Sequence, residues 1–399
     1  MEQQIIMSGM RTTGSLHIGH YWGVINNWLK LQDKYLCFFA AADWHGLTTH
    51  YQDPANIKQY SRDMIIDWLS CGVDPNKAVL FIQSQISEHA ELHLLLSMLT
   101  PLSWLQRIPS YKDQQQKLAA KDINTYGFLG YPLLQTADIL IYGTHLVPVG
   151  ADQASHIELS REIARRFNWL YGTDIATRQK VTDLLSKIKP ETVDAYMHII
   201  SNYRENADNQ MLKQASELLK SQGNLTRKER DVLVRNIATP YKPVLTEPRA
   251  LLSTIPLMLG TDGQKMSKSY GNTISLRETT DSLHQKILKM PTDPARIKRN
   301  DVGNPHKCPV FNLHNLYTAS DSKTWVINGC TTATIGCVDC KKCLISNIEE
   351  HLIPIQQNIS DLEQNKDYVD DIIMQGNAKA REVAQQNMSK IKAAMSIVG

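Results

Sequence analysis

Three groups of residues have types and spacings that could do chemistry. The first is Gly9-Met10-Arg11-Thr12-Thr13-Gly14-Ser15-Leu16-His17-Ile18-Gly19-His20, which follows an apolar run and leads into a helical pattern. Its glycines let the backbone turn sharply and approach a ligand closely. A helix N-terminus at that point offers unpaired N–H groups and a partial positive charge to phosphate. His17 and His20, three apart, share a face there and can donate hydrogen bonds to a triphosphate. The second group is Lys265-Met266-Ser267-Lys268-Ser269, bordered by Gly260-Thr261-Asp262-Gly263 and Tyr270-Gly271-Asn272. Two lysines among small hydroxyl residues on a glycine-bordered loop form a mobile cationic clamp suited to a pyrophosphate leaving group, because positioning and electrostatics dominate phosphate chemistry. The third is a run of cysteines: five of the seven lie between Cys308 and Cys343, while Cys37 and Cys71 stand apart as core thiols. In a reducing compartment such bunching points to a metal rather than to disulfides.

The elements that must position these residues follow from periodicity. Gln4–Met7, Leu36–Ala42, Ala78–Ile82 and Leu146–Val149 read as buried strands. Between them, Ile18–Lys30, Pro54–Ser70, Ala90–Leu99 and Asp152–Phe167 read as amphipathic helices. This alternation predicts an α/β fold with a Rossmann-type, doubly wound parallel sheet, which binds nucleotides at the carboxyl ends of its strands. Four regions are expected: a catalytic domain over 1–173, a helical insertion or connecting module over 174–247, the lysine-loop region over 248–280, and an all-helical C-terminal domain over 281–399 that carries the cysteines. With 399 residues, 42% hydrophobic and 21% charged, the chain has ample material for two or three packed domains. Disorder, collagen and coiled coil fit poorly. No stretch approaches 20 apolar residues and the N-terminus lacks a basic, then apolar, leader pattern, so a cytoplasmic protein without a membrane span is expected. The net charge of +3 means that a polyanion would be met through local patches. A P-loop kinase is disfavoured because G-x-x-x-x-G-K-[ST] does not occur.

Taken together, Thr13-Gly14-Ser15-Leu16-His17-Ile18-Gly19-His20 and Lys265–Ser269 resemble the HIGH and KMSKS motifs of class I aminoacyl-tRNA synthetases. Between them the chain is similar to the tryptophanyl family over Ala42–Thr49, Ser84–Leu92, Tyr131–Leu140 and Val147–Asn168. The resemblance implies activation of L-tryptophan by ATP to the adenylate and transfer to tRNA(Trp), without a covalent enzyme intermediate. His17, His20, Lys265 and Lys268 are then the catalytic candidates, as stabilisers of charge. It further assigns Arg11, Thr12, Thr13, Gly19, His20, Gly150, Ala151, Asp152 and Lys265–Ser269 (Lys265, Met266, Ser267, Lys268, Ser269) to ATP, with Mg²⁺ accompanying the triphosphate. No carboxylate pair identifies a protein ligand for that ion. Met7, His45, Tyr131, Gln135, Val147, Val149 and Gln153 are placed around the amino acid. Tryptophan presents a large apolar face and one donor, so its pocket needs apolar walls and one acceptor. Asp138, in the otherwise apolar stretch Leu133–Tyr142, is that acceptor; unpaired, it would be costly there. Gln135 stands where many bacterial members carry Met, and Arg11 and Thr12 where compact members carry Gln and Pro. Tyr131-x-x-x-Gln135-x-x-Asp138 also resembles the tyrosine-binding helix of the tyrosyl enzymes, the runner-up. A catalytically silent RNA-binding regulator on the same fold is the alternative from another class.

Four thiolates suffice for zinc or for a cubane iron–sulfur cluster. The spacing lacks paired zinc-ribbon knuckles and resembles a tryptophanyl subgroup with a C-terminal 4Fe-4S cluster, whose ligands would be Cys308, Cys330, Cys337 and Cys340. Cys308 is one residue closer to Cys330 than in that pattern, and Cys343 is spare. Zinc is the alternative, and the role would be structural. The basic residues Lys286, Lys289, Arg296, Lys298, Arg299, Lys307, Lys341 and Lys342 are expected to meet tRNA phosphate. A homodimer is implied by the resemblance alone.

Overall fold

Short runs that are apolar on both faces, such as Leu-Cys-Phe-Phe-Ala-Ala-Ala, form strands covered by helices on both sides. In the computed structural model, which describes residues 3–108, 125–206, 209–238, 243–252 and 258–397, that run is β2 (Leu36–Ala42), buried from its second residue on. It lies between β1 (Ile5–Arg11) and β3 (Ala78–Ile82). β4 (Leu146–Val149) and β5 (Arg249–Leu252) complete a five-stranded sheet of order β3-β2-β1-β4-β5, and every pairing is parallel. β5 is an addition to the expected strands; it has four residues, begins with Arg and is partly exposed, so it carries no apolar run. The strand order reverses between β1 and β4, and a crevice outside their carboxyl ends is where ligands bind such sheets.

The helices around the sheet follow their apolar stripes. The expected helix Ile18–Lys30 is broken: α1 (Ile18–His20) and α2 (Asn26–Leu31) flank a π-helical segment, Tyr21–Ile25. Single π turns of this kind commonly mark functional sites. α3 (Asp43–Leu47) continues directly from β2, and α4 (Ile57–Ser70), α5 (Glu88–Ser97) and α7 (Tyr126–Leu140) follow, with α6 (Leu102–Gln106) before α7.

The chain divides into two compact units, residues 1–160 with 248–387, and 161–247 with 388–399. In the first, the stretch after residue 280 does not form a core of its own. Leu344, Ile348, Leu352 and Ile355 of α16 (Cys337–Gln364) belong to one hydrophobic cluster with Met64 and Trp68 of α4 and with Trp28 and Phe39. α17 (Lys366–Ala394) covers the exposed edge of β3, where the Asn377 side chain accepts the Ile82 N–H (3.0 Å). The second unit is helical, with α9 (Ile175–Leu185), α10 (Pro190–Asn206), α11 (Asn209–Lys220) and α12 (Arg227–Ala238). α8 (Ala154–Gly172) runs into it from the first unit. Its core contains Val181, Leu184, Tyr196, Leu219 and Leu233, and the Tyr196 hydroxyl donates to the Leu233 carbonyl (2.7 Å). This unit begins at Arg161, earlier than the expected module. Among the described residues no helix is long and apolar enough to cross a membrane.

Candidate functional site

A cavity of about 380 Å³ opens at the carboxyl ends of β1 and β4. Met7, His45, Tyr131, Gln135, Asp138, Val147, Val149 and Gln153 all line it, together with Gly9, Arg11 and Gly150. β1 and β4 supply the floor, His45 comes from α3 at the end of β2, and α7 lays Tyr131, Gln135 and Asp138 along one face at i, i+4 and i+7. Apart from its polar groups the wall is apolar, as a flat hydrophobic ligand requires.

Asp138, the acidic residue of the wall, is not an isolated acceptor. His45 Nε2 lies 2.9 Å from Oδ2 and His89 Nδ1 lies 2.6 Å from Oδ1. The Gln83 amide nitrogen donates to both oxygens at 2.8 Å. Burial pushes the carboxyl pKa up, but His89 and His45 outweigh it and hold the group well below the usual carboxylate range. Asp138 is therefore ionised at neutral pH and accepts only. Gln83 and His89 were not among the expected site residues. Gln135 Oε1 is 2.7 Å from His156 Nδ1, so that amide is partly engaged.

The two motifs form one structure. The His17 side chain accepts the Gly19 N–H (3.1 Å), and the His20 side chain accepts the His17 N–H (3.2 Å), a reciprocal cap at the start of α1. The rings lie 3.7 Å apart. Burial, reinforced by Lys268, pushes His17 down to about 4. Burial followed by His17 and Lys268 pushes His20 well below its usual value. Both rings are neutral near pH 7, and each has an Nδ1 that accepts, so each proton sits on Nε2 and remains a donor. Lys268 Nζ donates to the Gly14 carbonyl (2.7 Å), and the buried Met266 side chain packs beside Gly19 and His17. Backbone bonds Ile18 N–H to Ile274 and Leu276 N–H to Leu16, both 3.0 Å, stitch the motif segments together. Arg277, just beyond, pairs with the buried Asp67 of α4 (2.8 Å).

Asn272 holds the lysine loop from within. It is buried, accepts the Ser267 N–H (2.8 Å), and donates to Asp262 (2.8 Å) and to the Lys265 carbonyl (3.0 Å). A Cβ at Gly260 would stand 2.4 Å from the Asn272 side chain, so that glycine is what admits the staple.

The remaining nucleotide candidates divide. Arg11 lines the cavity but is anchored to α3, with Nε donating to the His45 carbonyl (3.1 Å) and the guanidinium to Thr49 Oγ1 (2.6 Å). Thr12 is fully buried against Gly46 and does not line the cavity, which differs from its expected placement. Thr13 is half-buried at the turn, Gly150 lines the cavity, and Ala151 and Asp152 are exposed in the single turn Ala151–Gln153 that precedes α8.

Cys308, Cys330, Cys337 and Cys340 line one small cavity with Arg296, and Cys343 does not. Cys308 precedes α14 (Pro309–Tyr317), Cys330 is on α15 (Ser320–Thr331), and Cys337 and Cys340 share one face of the first turn of α16. Gly303 closes on Cys330, where a Cβ would be 2.5 Å from the sulfur. Among the described residues, no group of three or more His, Cys, Asp or Glu side chains is placed to hold a single metal ion.

The basic stretch differs from the expectation at two positions. Lys341 is buried and donates to the Leu288 (2.7 Å) and Met290 (2.6 Å) carbonyls at the end of α13 (Thr280–Lys289). Arg296 is buried and donates to the Ile335 and Arg299 carbonyls (2.5 and 3.0 Å). Both satisfy backbone acceptors inside the fold and do not face a nucleic acid. Lys286 is half-buried and tied to Glu278 (2.7 Å) and the Thr273 carbonyl. Lys289, Lys298, Arg299, Lys307 and Lys342 are exposed.

The sequence matches the family model described as tRNA synthetases class I (W and Y) over residues 1–203 and 205–352. It is 48% identical to the tryptophan–tRNA ligase of Ralstonia nicotianae, covering 98% of each chain. It is 44% identical to that of Thermotoga maritima, covering 98% of this chain and 99% of the relative. Its structure is similar to that of tryptophanyl-tRNA synthetase from Campylobacter jejuni complexed with ADP and tryptophan, with a TM-score of 0.75, 26% identity, and coverage of 99% and 100% of the two chains.

Proposed function

The chain belongs to the class I tRNA synthetases for tryptophan and tyrosine, and from that premise we propose that it activates L-tryptophan with ATP and transfers it to tRNA(Trp). The observation that carries this reading is the cavity itself, an apolar slot with one ionised acceptor, Asp138, at its wall. The indole lies between Met7, Val147 and Val149 and donates its N–H to Asp138, while Tyr131, His45, Gln135 and Gln153 border it. ATP occupies the crevice beside Gly9, Arg11 and Gly150 and reaches the motif cluster with its phosphates. Thr13, Gly19, Ala151, Asp152 and the backbone of Ser267 and Ser269 border it there. The tryptophan carboxylate attacks the α-phosphorus, the bond to the bridging oxygen breaks, and pyrophosphate leaves with its electron pair. His17 and His20 donate from neutral Nε2–H groups, and Lys265 and Lys268 supply positive charge where negative charge develops. A tRNA hydroxyl then displaces AMP from the adenylate.

Mg²⁺ enters with the triphosphate, for Asp138 is the acidic residue of the cavity and is already engaged. Homodimer formation and a cytoplasmic location are part of the same reading; exposed Leu94 of α5, Met98 just beyond it and Leu102 of α6 support a paired surface. Pyrophosphate exchange tests the function. Exchange driven by L-tryptophan at least 10³-fold more efficiently than by L-tyrosine or L-phenylalanine is the expected result, in line with sites that reject ligands lacking the right hydrogen-bonding group by about 10⁴ to 10⁵. Tyrosine-driven exchange, or none, overturns it.

The cysteine cavity takes a 4Fe-4S cluster in this proposal. A zinc ion needs its sulfurs within about 2.3 Å of one point, whereas a cubane carries each thiolate on a different iron and spreads them. Cys308, Cys330, Cys337 and Cys340 line one cavity, which is what supports them as the four thiolates of such a group. When bound, the cluster cross-links α14, α15 and α16. Protein purified without oxygen is expected to be brown, with iron and acid-labile sulfide near four each per chain; colourless protein with stoichiometric zinc overturns the assignment.

A further inference from the structure

Behind Asp138, away from the cavity, stand two buried side chains that do not line it, Gln83 and His89. Gln83 accepts the His45 N–H through its amide oxygen (3.4 Å), which turns its NH₂ group onto both oxygens of Asp138 at 2.8 Å. His89 contacts Asp138 through Nδ1 (2.6 Å) and the Tyr142 hydroxyl through Nε2 (2.7 Å). A carboxylate is acceptor-only, so Nδ1 carries the proton in this contact, while Nε2 meets the Tyr142 hydroxyl. Tyr142 is itself fully buried and stacked on Phe38. The turn that carries Gln83 is pinned on both sides by α17: Asn377 takes the Ile82 N–H, and Arg381 donates to the Gln85 carbonyl.

We propose that Gln83 and His89 are positioning residues for tryptophan selectivity, holding the Asp138 carboxylate in one orientation so that it accepts the indole N–H. A carboxylate offers about four lone-pair directions. His45 on Oδ2, His89 on Oδ1 and the bifurcated Gln83 amide on both make four contacts, two per oxygen, and the carboxyl cannot turn without breaking those to Gln83 and His89. The indole N–H therefore shares an oxygen with His45, which lines the cavity where Gln83 and His89 do not. The network leaves no donor aimed at the ligand from this group, so a ligand atom placed there must donate. This inference rests on the tryptophan reading of the cavity and names the residues that enforce it.

The test compares L-tryptophan with its isostere β-(3-benzothienyl)alanine, in which sulfur replaces the indole N–H, in pyrophosphate exchange by the full-length protein. Wild-type protein must prefer tryptophan strongly; absence of that preference would sink the tryptophan reading itself, independently of the variants. Gln83→Leu and His89→Leu are expected to lower the ratio of kcat/KM for tryptophan over the isostere by about tenfold or more, as loss of aim on a charged acceptor implies. The effect should fall mainly on KM for tryptophan and leave the isostere nearly unchanged. His89→Asn, which keeps an amide donor toward Asp138, should recover most of the ratio. Tyr142→Phe removes one oxygen without opening space and gives a smaller, severalfold loss, so the relay can be read even where a leucine variant does not fold. Equal losses for both substrates, or an unchanged ratio in Tyr142→Phe together with the soluble Gln83 or His89 variants, overturns the proposal.

Discussion

Asp138→Asn is expected to abolish useful tryptophan activation, lowering kcat/KM by about 10³-fold or more. Two losses add. The indole N–H gives up a hydrogen bond to a charged acceptor, on the order of 1.5 to 3 kcal/mol. The new amide also presents its own NH₂ to a site where His45, His89 and Gln83 all donate, so donors face one another and the side chain turns away from the ligand. Stability falls as well, on the order of 2 to 3 kcal/mol, because buried donors lose their partner. The wild-type carboxyl has a folded pKa held below its unfolded value of about 3.9. Its stabilising contribution is thus present above that unfolded value and is lost as pH falls through the folded one. Pyrophosphate exchange near neutral pH and thermal unfolding followed from neutral pH down to about pH 2 check this: Asp138→Asn should lack that part of the acid limb. Retained activity within tenfold of wild type would remove Asp138 from the acceptor role.

What could be read in the sequence was what lies close together along it. Leu36–Ala42, Ala78–Ile82 and Leu146–Val149 are strands because each is a continuous apolar run, and the observed bounds coincide with those read from the pattern. The eight residues placed around the amino acid converge on one cavity because α7 brings three of them to one face by helical spacing alone. The misses share a physical origin. Gln83 and His89 reach Asp138 across 55 and 49 residues of chain, and no local pattern encodes such a meeting. His89 lay inside a stretch that resembled the family, without a role. Lys341 and Arg296 were read as solvent-facing because charge alone does not reveal a helix end or a carbonyl waiting for a donor. The C-terminal helices were expected to have little core of their own; their amphipathic pattern shows a buried stripe but not its partners, which include Met64 and Trp68 of α4.

Lys268→Met is expected to lower kcat for pyrophosphate exchange by 10² to 10³-fold, the scale of one preorganised charge-stabilising donor, with a smaller change in KM for tryptophan. The reason lies in how the lysine is held. Its ammonium is half-buried, fixed on the Gly14 carbonyl, and close to the capped His17–His20 pair. Burial lowers its pKa to about 8, with Asp67 opposing and Arg11 assisting. In the free enzyme the required cation is therefore lost as pH rises through about 8, and kcat/KM for ATP should decline on that side. Lys268→Arg keeps its charge throughout this range and should shift the decline upward while remaining slower, because a planar guanidinium does not reproduce the ammonium's contact with Gly14. Stability runs the other way. A lysine whose folded pKa lies below its unfolded value of about 10.4 binds fewer protons when folded, so the wild-type protein gains stability as pH rises from about 8 to 10. Lys268→Met removes that dependence and should fold at least as well as wild type at pH 7. A large catalytic loss in a protein that melts no lower than wild type identifies Lys268 as acting on developing charge. Equal falls in kcat and melting temperature would assign it to the fold instead.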